Sequence, residues 1–178
     1  MKLETFQNKN YKPGTNFLKR LVWFALNAMV FNSYFFPIYR IKVKLLQLFG
    51  SKIGTGVVIK PKVNIKYPWR LTIGDNVWIG EGVWIDNLSH ITIGNNVCIS
   101  QGVLLLTGNH NYKKESFDLI TKPINIKSEV WIGAKSTVCP GVICEKGSVL
   151  SVGSVITQRM SEDYIYQGVP AVKKRLRY

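Results

Sequence analysis

Residues 71–90, LTIGDNVWIGEGVWIDNLSH, overlay residues 91–110, ITIGNNVCISQGVLLLTGNH, when shifted by 20 positions. Thr, Ile-Gly, Asn-Val, Ile, Gly-Val and the final His coincide. Inside each copy an aliphatic residue recurs every six positions: Ile73, Ile79 and Ile85, then Ile93, Ile99 and Leu105. The beat starts earlier, at Ile53, Ile59 and Ile65. It resumes after a gap at Ile126, Ile132, Val138, Cys144, Leu150 and Ile156. Four positions after the aliphatic residue stands a small or β-branched one, as at Val57, Val83, Val103, Val142 and Ser154.

A helix cannot use a period of six, because 3.6 residues per turn would smear the aliphatic residues around the cylinder. Simple strand alternation has a period of two and does not explain it either. A coil of three short strands does, with one hexapeptide supplying a strand and a corner on each face. Asn76, Gly82, Asn96 and Gly102 then fall at corners, where they tolerate the positive φ of a tight turn. Such coils stack at about 4.8 Å through parallel ladders. The 20-residue spacings read as 18-residue coils with two-residue corner insertions. The sequence therefore predicts an all-β core, a parallel β-helix over 51–157, from which the stretch 107–123 protrudes as a loop.

The flanks lack the beat. Phe17, Leu21, Phe24 and Ala28 share one helical face, which predicts a helix beginning after Thr15. A second helix is expected from Ile38 to Phe49, stopped by Gly50. Lys19, Arg20, Arg40, Lys42 and Lys44 set positive charge beside the aromatics of residues 1–50. Two roles stay open for this segment: a cap on the open end of the coil, and docking on an anionic membrane surface. Residues 158–178 read as a basic C-terminal tail.

A formal net charge of +14 implies an anionic partner. No nucleic-acid motif accompanies it, so nucleic acid is not the expected partner. The apolar run from Phe17 to Phe36 is interrupted by Lys19, Arg20, Asn27 and Asn32 and ends at Pro37, a poor match to a span of about 20 apolar residues. Cys98, Cys139 and Cys144 form neither a CxxC pair nor a disulfide framework. A cytoplasmic protein is expected, soluble or peripheral at the inner face of the membrane.

Of the two histidines, His110 lies where the beat breaks. A loop on a rigid scaffold is a favoured position for chemistry, and imidazole titrates near neutrality. The residues alone leave two readings, a general base or a turn histidine capping backbone groups.

Ile73-Gly-Asp-Asn-Val-Trp78 and Ile93-Gly-Asn-Asn-Val-Cys98 resemble the repeats of the hexapeptide-repeat acyltransferases, which fold as left-handed parallel β-helices. Thr107-Gly-Asn-His-Asn-Tyr112 resembles the loop bearing that family's catalytic histidine. Glu129-Val-Trp-Ile-Gly-Ala134, Val138-Cys-Pro-Gly141 and Gln167-Gly-Val-Pro-Ala171 are similar to its cofactor end. With Asn64-Ile-Lys-Tyr-Pro-Trp69, the chain looks closest to the colanic acid biosynthesis acetyltransferases, relatives of the maltose and galactoside O-acetyltransferases. The resemblance implies transfer of acetyl from acetyl-CoA, as co-substrate, to a hydroxyl of a sugar or polysaccharide precursor. It implies His110 as the base, no catalytic metal, and a homotrimer with active sites between subunits.

The same resemblance puts the acceptor near Asp86, Asn87 and His90, with solvated or corner-filling side chains as the alternative. It puts the pantetheine arm along Trp131, Gly133, Ala134, Val152 and Gly153, with the Ala134 N–H aimed at the oxyanion. Trp131 packed between subunits is the other reading. Thr157 and Gln158 match a Thr-Lys pair, the glutamine lacking the charge. Lys173, Lys174 and Arg175 meet the coenzyme phosphates, or are solvated. N-acetylation of an amino sugar and a non-catalytic scaffold remain as alternative functions. A zinc enzyme of the carbonic anhydrase type on this scaffold needs three histidine ligands, and the chain has two.

Overall fold

The computed structural model describes residues 2–6, 8 and 11–178. Three parallel sheets wind around one axis. The first face stacks Lys52–Ile53, Leu71–Ile73, Ile91–Ile93, Ile124–Ile126 and Ile143–Cys144. The second stacks Val58–Ile59, Trp78–Ile79, Cys98–Ile99, Trp131–Ile132 and Val149–Leu150, and continues into Tyr164–Gly168 and Ala171–Leu176. The third stacks Asn64–Ile65, Trp84–Asp86, Leu104–Leu106, Thr137–Val138 and Val155–Ile156. This is a left-handed parallel β-helix of about 6 turns, as the six-residue beat and the resemblance require.

The beat residues are the core. Ile59, Ile65, Ile79, Ile85, Ile99, Leu105, Ile132, Val138 and Ile156 have no exposed surface, and each sits directly over its counterpart in the next coil. A buried aliphatic side chain contributes about 1.5–3 kcal/mol, so the stacked columns are the main source of stability. Corners hold the conformations the sequence predicts: Asn76 and Asn96 both adopt φ 55°, and Gly82 and Gly102 adopt 68° and 65°.

The glycine that follows the aliphatic residue has a different cause. A Cβ on Gly133 would lie 2.6 Å from the Val152 nitrogen, and one on Gly80 2.7 Å from the Gln101 nitrogen. Coils approach too closely there for any side chain. At one corner a polar ladder ties the coils: Asp75 accepts from the Thr55 N–H, Asn95 from the Asp75 N–H, and Ser128 from the Asn95 N–H.

Every insertion falls at one corner, between the third and first faces. It holds Pro68–Arg70 in the first coil, residues 87–90 in the second, and an antiparallel hairpin in the third, where Gly108–His110 pairs with Leu119–Thr121. The stretch expected as a loop is thus an ordered hairpin.

Below the first coil lie α1 (Phe17–Leu26), a π-helical turn (Asn27–Phe31) and α2 (Tyr39–Leu48). Asn16 caps α1 by accepting from the Lys19 N–H, and Gly50, at φ 103°, terminates the turn after α2. Trp23 Nε1 donates to the Ile65 carbonyl at 2.8 Å, Asn27 accepts from the Ile65 N–H, and Lys42 Nζ donates to the Lys60 carbonyl. These bonds occupy backbone groups that the first coil would otherwise leave unpaired. The expected apolar face of α1 forms, but it points outward. Trp23 and Phe31 are the residues turned to the core.

Residues 158–178 do not trail as a tail. Tyr164–Gly168 and Ala171–Leu176 form a hairpin that extends the second face, because Tyr166 and Ala171 are buried against the last coil. Among the described residues no helix is long and apolar enough to cross a membrane.

Candidate active site

His110 ends the first strand of the corner hairpin, opposite Leu119. Its Nδ1 lies 2.9 Å from the Phe117 carbonyl oxygen. A carbonyl only accepts, so Nδ1 carries the proton in the neutral ring and Nε2 keeps a lone pair. Phe117 also stacks on the imidazole, with centroids 4.3 Å apart and planes 3° from parallel, and Phe6 leans on it at 5.8 Å. The ring is therefore fixed in tautomer and orientation. To present both its carbonyl and its ring, Phe117 adopts φ 48°, a left-handed conformation that costs a bulky residue free energy.

The N-terminal arm completes this corner. Tyr11 Oη donates to the Leu88 carbonyl at 3.0 Å and accepts from Arg70, which also reaches the Leu88 and Lys12 carbonyls. Burial pushes the Tyr11 phenol up to about 12, with Arg70 opposing, so it stays a neutral donor at physiological pH. Between arm and hairpin opens a polar cleft of about 650 Å³, lined by Thr5, Tyr11, Asn111, Lys114 and Asp118 among others.

The three acceptor candidates share this corner but differ in availability. Asn87 is fully buried. Its amide accepts from the Tyr67 N–H at 2.8 Å and donates to the Tyr67 carbonyl at 2.6 Å, which leaves no polar group facing solvent. Asp86 pairs through one oxygen with Lys66 Nζ at 2.9 Å and is nearly buried. His90 is exposed, and among the described residues its ring has no hydrogen-bond partner.

The cofactor candidates are spread over several places, most of them away from His110. Trp131 stands outward on the second face between Cys98 and Val149, half-exposed, its Nε1 donating to Ser100. Gly133, Ala134, Val152 and Gly153 form the next corner, between the second and third faces, where the Gly153 N–H donates to the Ala134 carbonyl. The Ala134 N–H makes no hydrogen bond among the described residues. Thr157 and Gln158 lie past the third face, exposed, on the same side as His110. Lys173, Lys174 and Arg175 are exposed on the outer strand of the C-terminal hairpin, where Lys173 Nζ sits 3.4 Å over the Tyr164 ring. Arg177, at the end of the same basic run, caps the Glu129 and Gly147 carbonyls.

His110 and Ala134 thus occupy different corners of the triangular coil, and one chain does not bring the two together. The sequence reading missed Phe117, Tyr11 and Arg70. No sequence signal marks a phenylalanine for a left-handed conformation, and the arm's partners are 58 to 77 residues distant.

No family model matches the chain. It is 38% identical over 164 residues to WcaF of Escherichia coli (strain K12), assigned to colanic acid biosynthesis as an acetyltransferase, across 92% of this chain and 90% of that one. The fold superimposes on a hexapeptide-repeat acetyltransferase from Vibrio cholerae with a TM-score of 0.81 at 25% identity, covering 89% and 90% of the two chains. It also superimposes on a galactoside acetyltransferase in complex with coenzyme A, with a TM-score of 0.77 at 26% identity, covering 89% and 80%.

Proposed function

The chain belongs to the hexapeptide-repeat acetyltransferases, in the group of the colanic acid biosynthesis enzymes, and we propose that it moves acetyl from acetyl-CoA to a hydroxyl of a saccharide, with His110 as general base. The observation that carries this reading is the 2.9 Å contact from His110 Nδ1 to the Phe117 carbonyl, which leaves Nε2 free to accept a proton.

In the reaction His110 Nε2 takes the proton of the acceptor hydroxyl as its oxygen attacks the acetyl carbonyl. The unpaired Ala134 N–H is suited to receive the oxyanion. Collapse releases the thiolate of coenzyme A, which recovers the proton from His110. Because His110 and Ala134 stand at different corners, the reading requires two chains to complete one site, which favours a homotrimer. Outward Trp78, Trp84 and Trp131 on the second and third faces offer apolar area for that contact. Trp131, Gly133, Val152 and Gly153 then line the pantetheine arm, and Thr157, Gln158, Lys173, Lys174 and Arg175 the nucleotide end. On the acceptor side Asp86 and His90 are the available groups, while Asn87 holds the corner in shape. One galactoside acetyltransferase of this fold is in complex with coenzyme A, and another relative, from Escherichia coli (strain K12) and 30% identical over 129 residues, is a galactoside O-acetyltransferase by name.

The test is acceptor-dependent release of coenzyme A. Purified protein should release free thiol from acetyl-CoA only with a saccharide present, and the product should be an ester cleaved by hydroxylamine. A hydroxylamine-stable amide would move the reading to N-acetylation.

A further inference from the structure

The outer surface of α1 is reversed from what water favours. Leu18, Val22, Ala25 and Met29 form one exposed ridge, flanked by exposed Phe17, Leu21, Phe24 and Ala28. Successive members lie three or four positions apart, so they share about half of the helix surface. Not one of these eight residues is polar, while the polar residues Lys19, Arg20 and Asn27 lie toward the protein. In the connection to α2, Phe35 is 98% exposed, and Tyr34 and Ile38 are more than half exposed. A contiguous apolar face of this kind marks a covered surface.

The charge around it says what covers it. Residues 5–74 contain no Asp or Glu and hold 12 of the chain's 24 Lys and Arg. Lys12, Arg40, Lys44, Lys60 and Lys62 are exposed cations in this stretch, with no ion-pair partner among the described residues. A second copy of the same chain would set this unrelieved positive charge against itself. An anionic lipid surface would neutralise it.

Position in the fold agrees. The π-helical turn contacts the first strand of the third face, to which Trp23 of α1 also donates, and α2 contacts the first strands of the other two faces. The helices therefore close one end of the β-helix; Phe17, Leu21, Phe24 and Ala28 line an apolar groove with Trp84 of the third face, and the ridge of Leu18, Val22, Ala25 and Met29 lies outside that groove. Subunits packed side by side would leave that end free, and a symmetric assembly would present several copies of it in one plane.

We infer that the end cap formed by α1, the following turn and α2 docks the protein flat on an anionic membrane surface, with Leu18, Val22, Met29 and Phe35 entering the headgroup boundary and the lysines and arginines meeting lipid phosphates. Helices with an apolar face and flanking cations bind in the plane of the interface in this way. Docking of this kind would bring the transferase to acceptors held at the bilayer.

The test is co-sedimentation of the whole protein, without acetyl-CoA or acceptor, with vesicles of phosphatidylcholine alone or with about 30% phosphatidylglycerol. The protein should bind the anionic vesicles, bind neutral ones at least about tenfold more weakly, and release in high salt. Leu18→Glu with Val22→Glu should cut binding about tenfold or more, with circular dichroism and oligomeric state unchanged. Arg40→Glu with Lys44→Glu should weaken it without touching the apolar ridge. Equal binding to both vesicle types, or full binding by the Leu18 and Val22 variant, would overturn the inference. So would loss of oligomeric state in that variant in lipid-free buffer, which would assign the ridge to a second copy. Because binding is read without turnover, its failure leaves the transferase reading standing.

Discussion

At the scale of single residues, His110 depends on Phe117 twice, through the carbonyl that fixes the tautomer and the ring that fixes the plane. Phe117→Gly keeps the carbonyl and relieves the positive φ, but removes the stacking ring. Its kcat should fall by about tenfold, with KM for acetyl-CoA little changed, as expected when a base is held less firmly. Ala134 allows a cleaner removal of an N–H than is usual. Pro61 occupies the equivalent corner position three coils earlier, before a Lys62 of φ 57° that matches Lys135. Ala134→Pro should therefore fold normally while kcat falls by about 10²–10³, the scale of losing one oxyanion donor. Tyr11 adds a pH signature. Its folded pKa is raised from 10.0 to about 12. The stability it contributes is complete below pH 10 and lost as pH rises toward about 12. Denaturant unfolding across that window should show a decline that Tyr11→Phe reduces.

At the scale of elements, what the sequence conveys follows from how local the cause is. The six-residue beat is local, so Ile53 to Ile156 reads directly as coils, and Asn76, Gly82, Asn96 and Gly102 read as corners. The hairpin carrying His110 was visible only as an interruption, because its pairing of Gly108 with Thr121 is not periodic. The C-terminal strands were missed because their charged residues, Lys173 to Arg175, alternate with nothing buried. The helix expected after Thr15 forms as α1, with a burial pattern that the sequence does not announce. Its most apolar stripe faces out and its single buried tryptophan faces in, the reverse of the usual rule. Acceptor assignment at Asp86 and Asn87 needed the fold, since only contacts reveal that the Asn87 amide is spent on Tyr67. Glycines within the coils separate two causes. Gly133→Ala sets a Cβ against the backbone of the next coil and should cost several kcal/mol, about 3 or more. Gly153→Ala meets open space and only a positive φ of 66°, and should cost about 1 kcal/mol. Thermal unfolding of the two variants checks the contrast.

At the scale of the whole molecule, the triangular coil distributes its chemistry by corner. The corner between the third and first faces bears His110, Asp86 and His90, and the corner between the second and third faces bears Ala134, whose N–H makes no hydrogen bond among the described residues. If two chains complete each site, His110→Ala and Ala134→Pro subunits should each be nearly inactive alone. Mixed trimers should recover about a quarter of the wild-type rate, because some interfaces then pair two intact corners. No recovery on mixing would indicate sites contained within one chain. Base catalysis by His110 is decided by the steady-state rate of His110→Ala with acetyl-CoA and a saccharide acceptor that the wild type uses. The predicted result is a loss of about 10²–10⁴ in kcat with acetyl-CoA binding retained. Turnover near that of the wild type would contradict it.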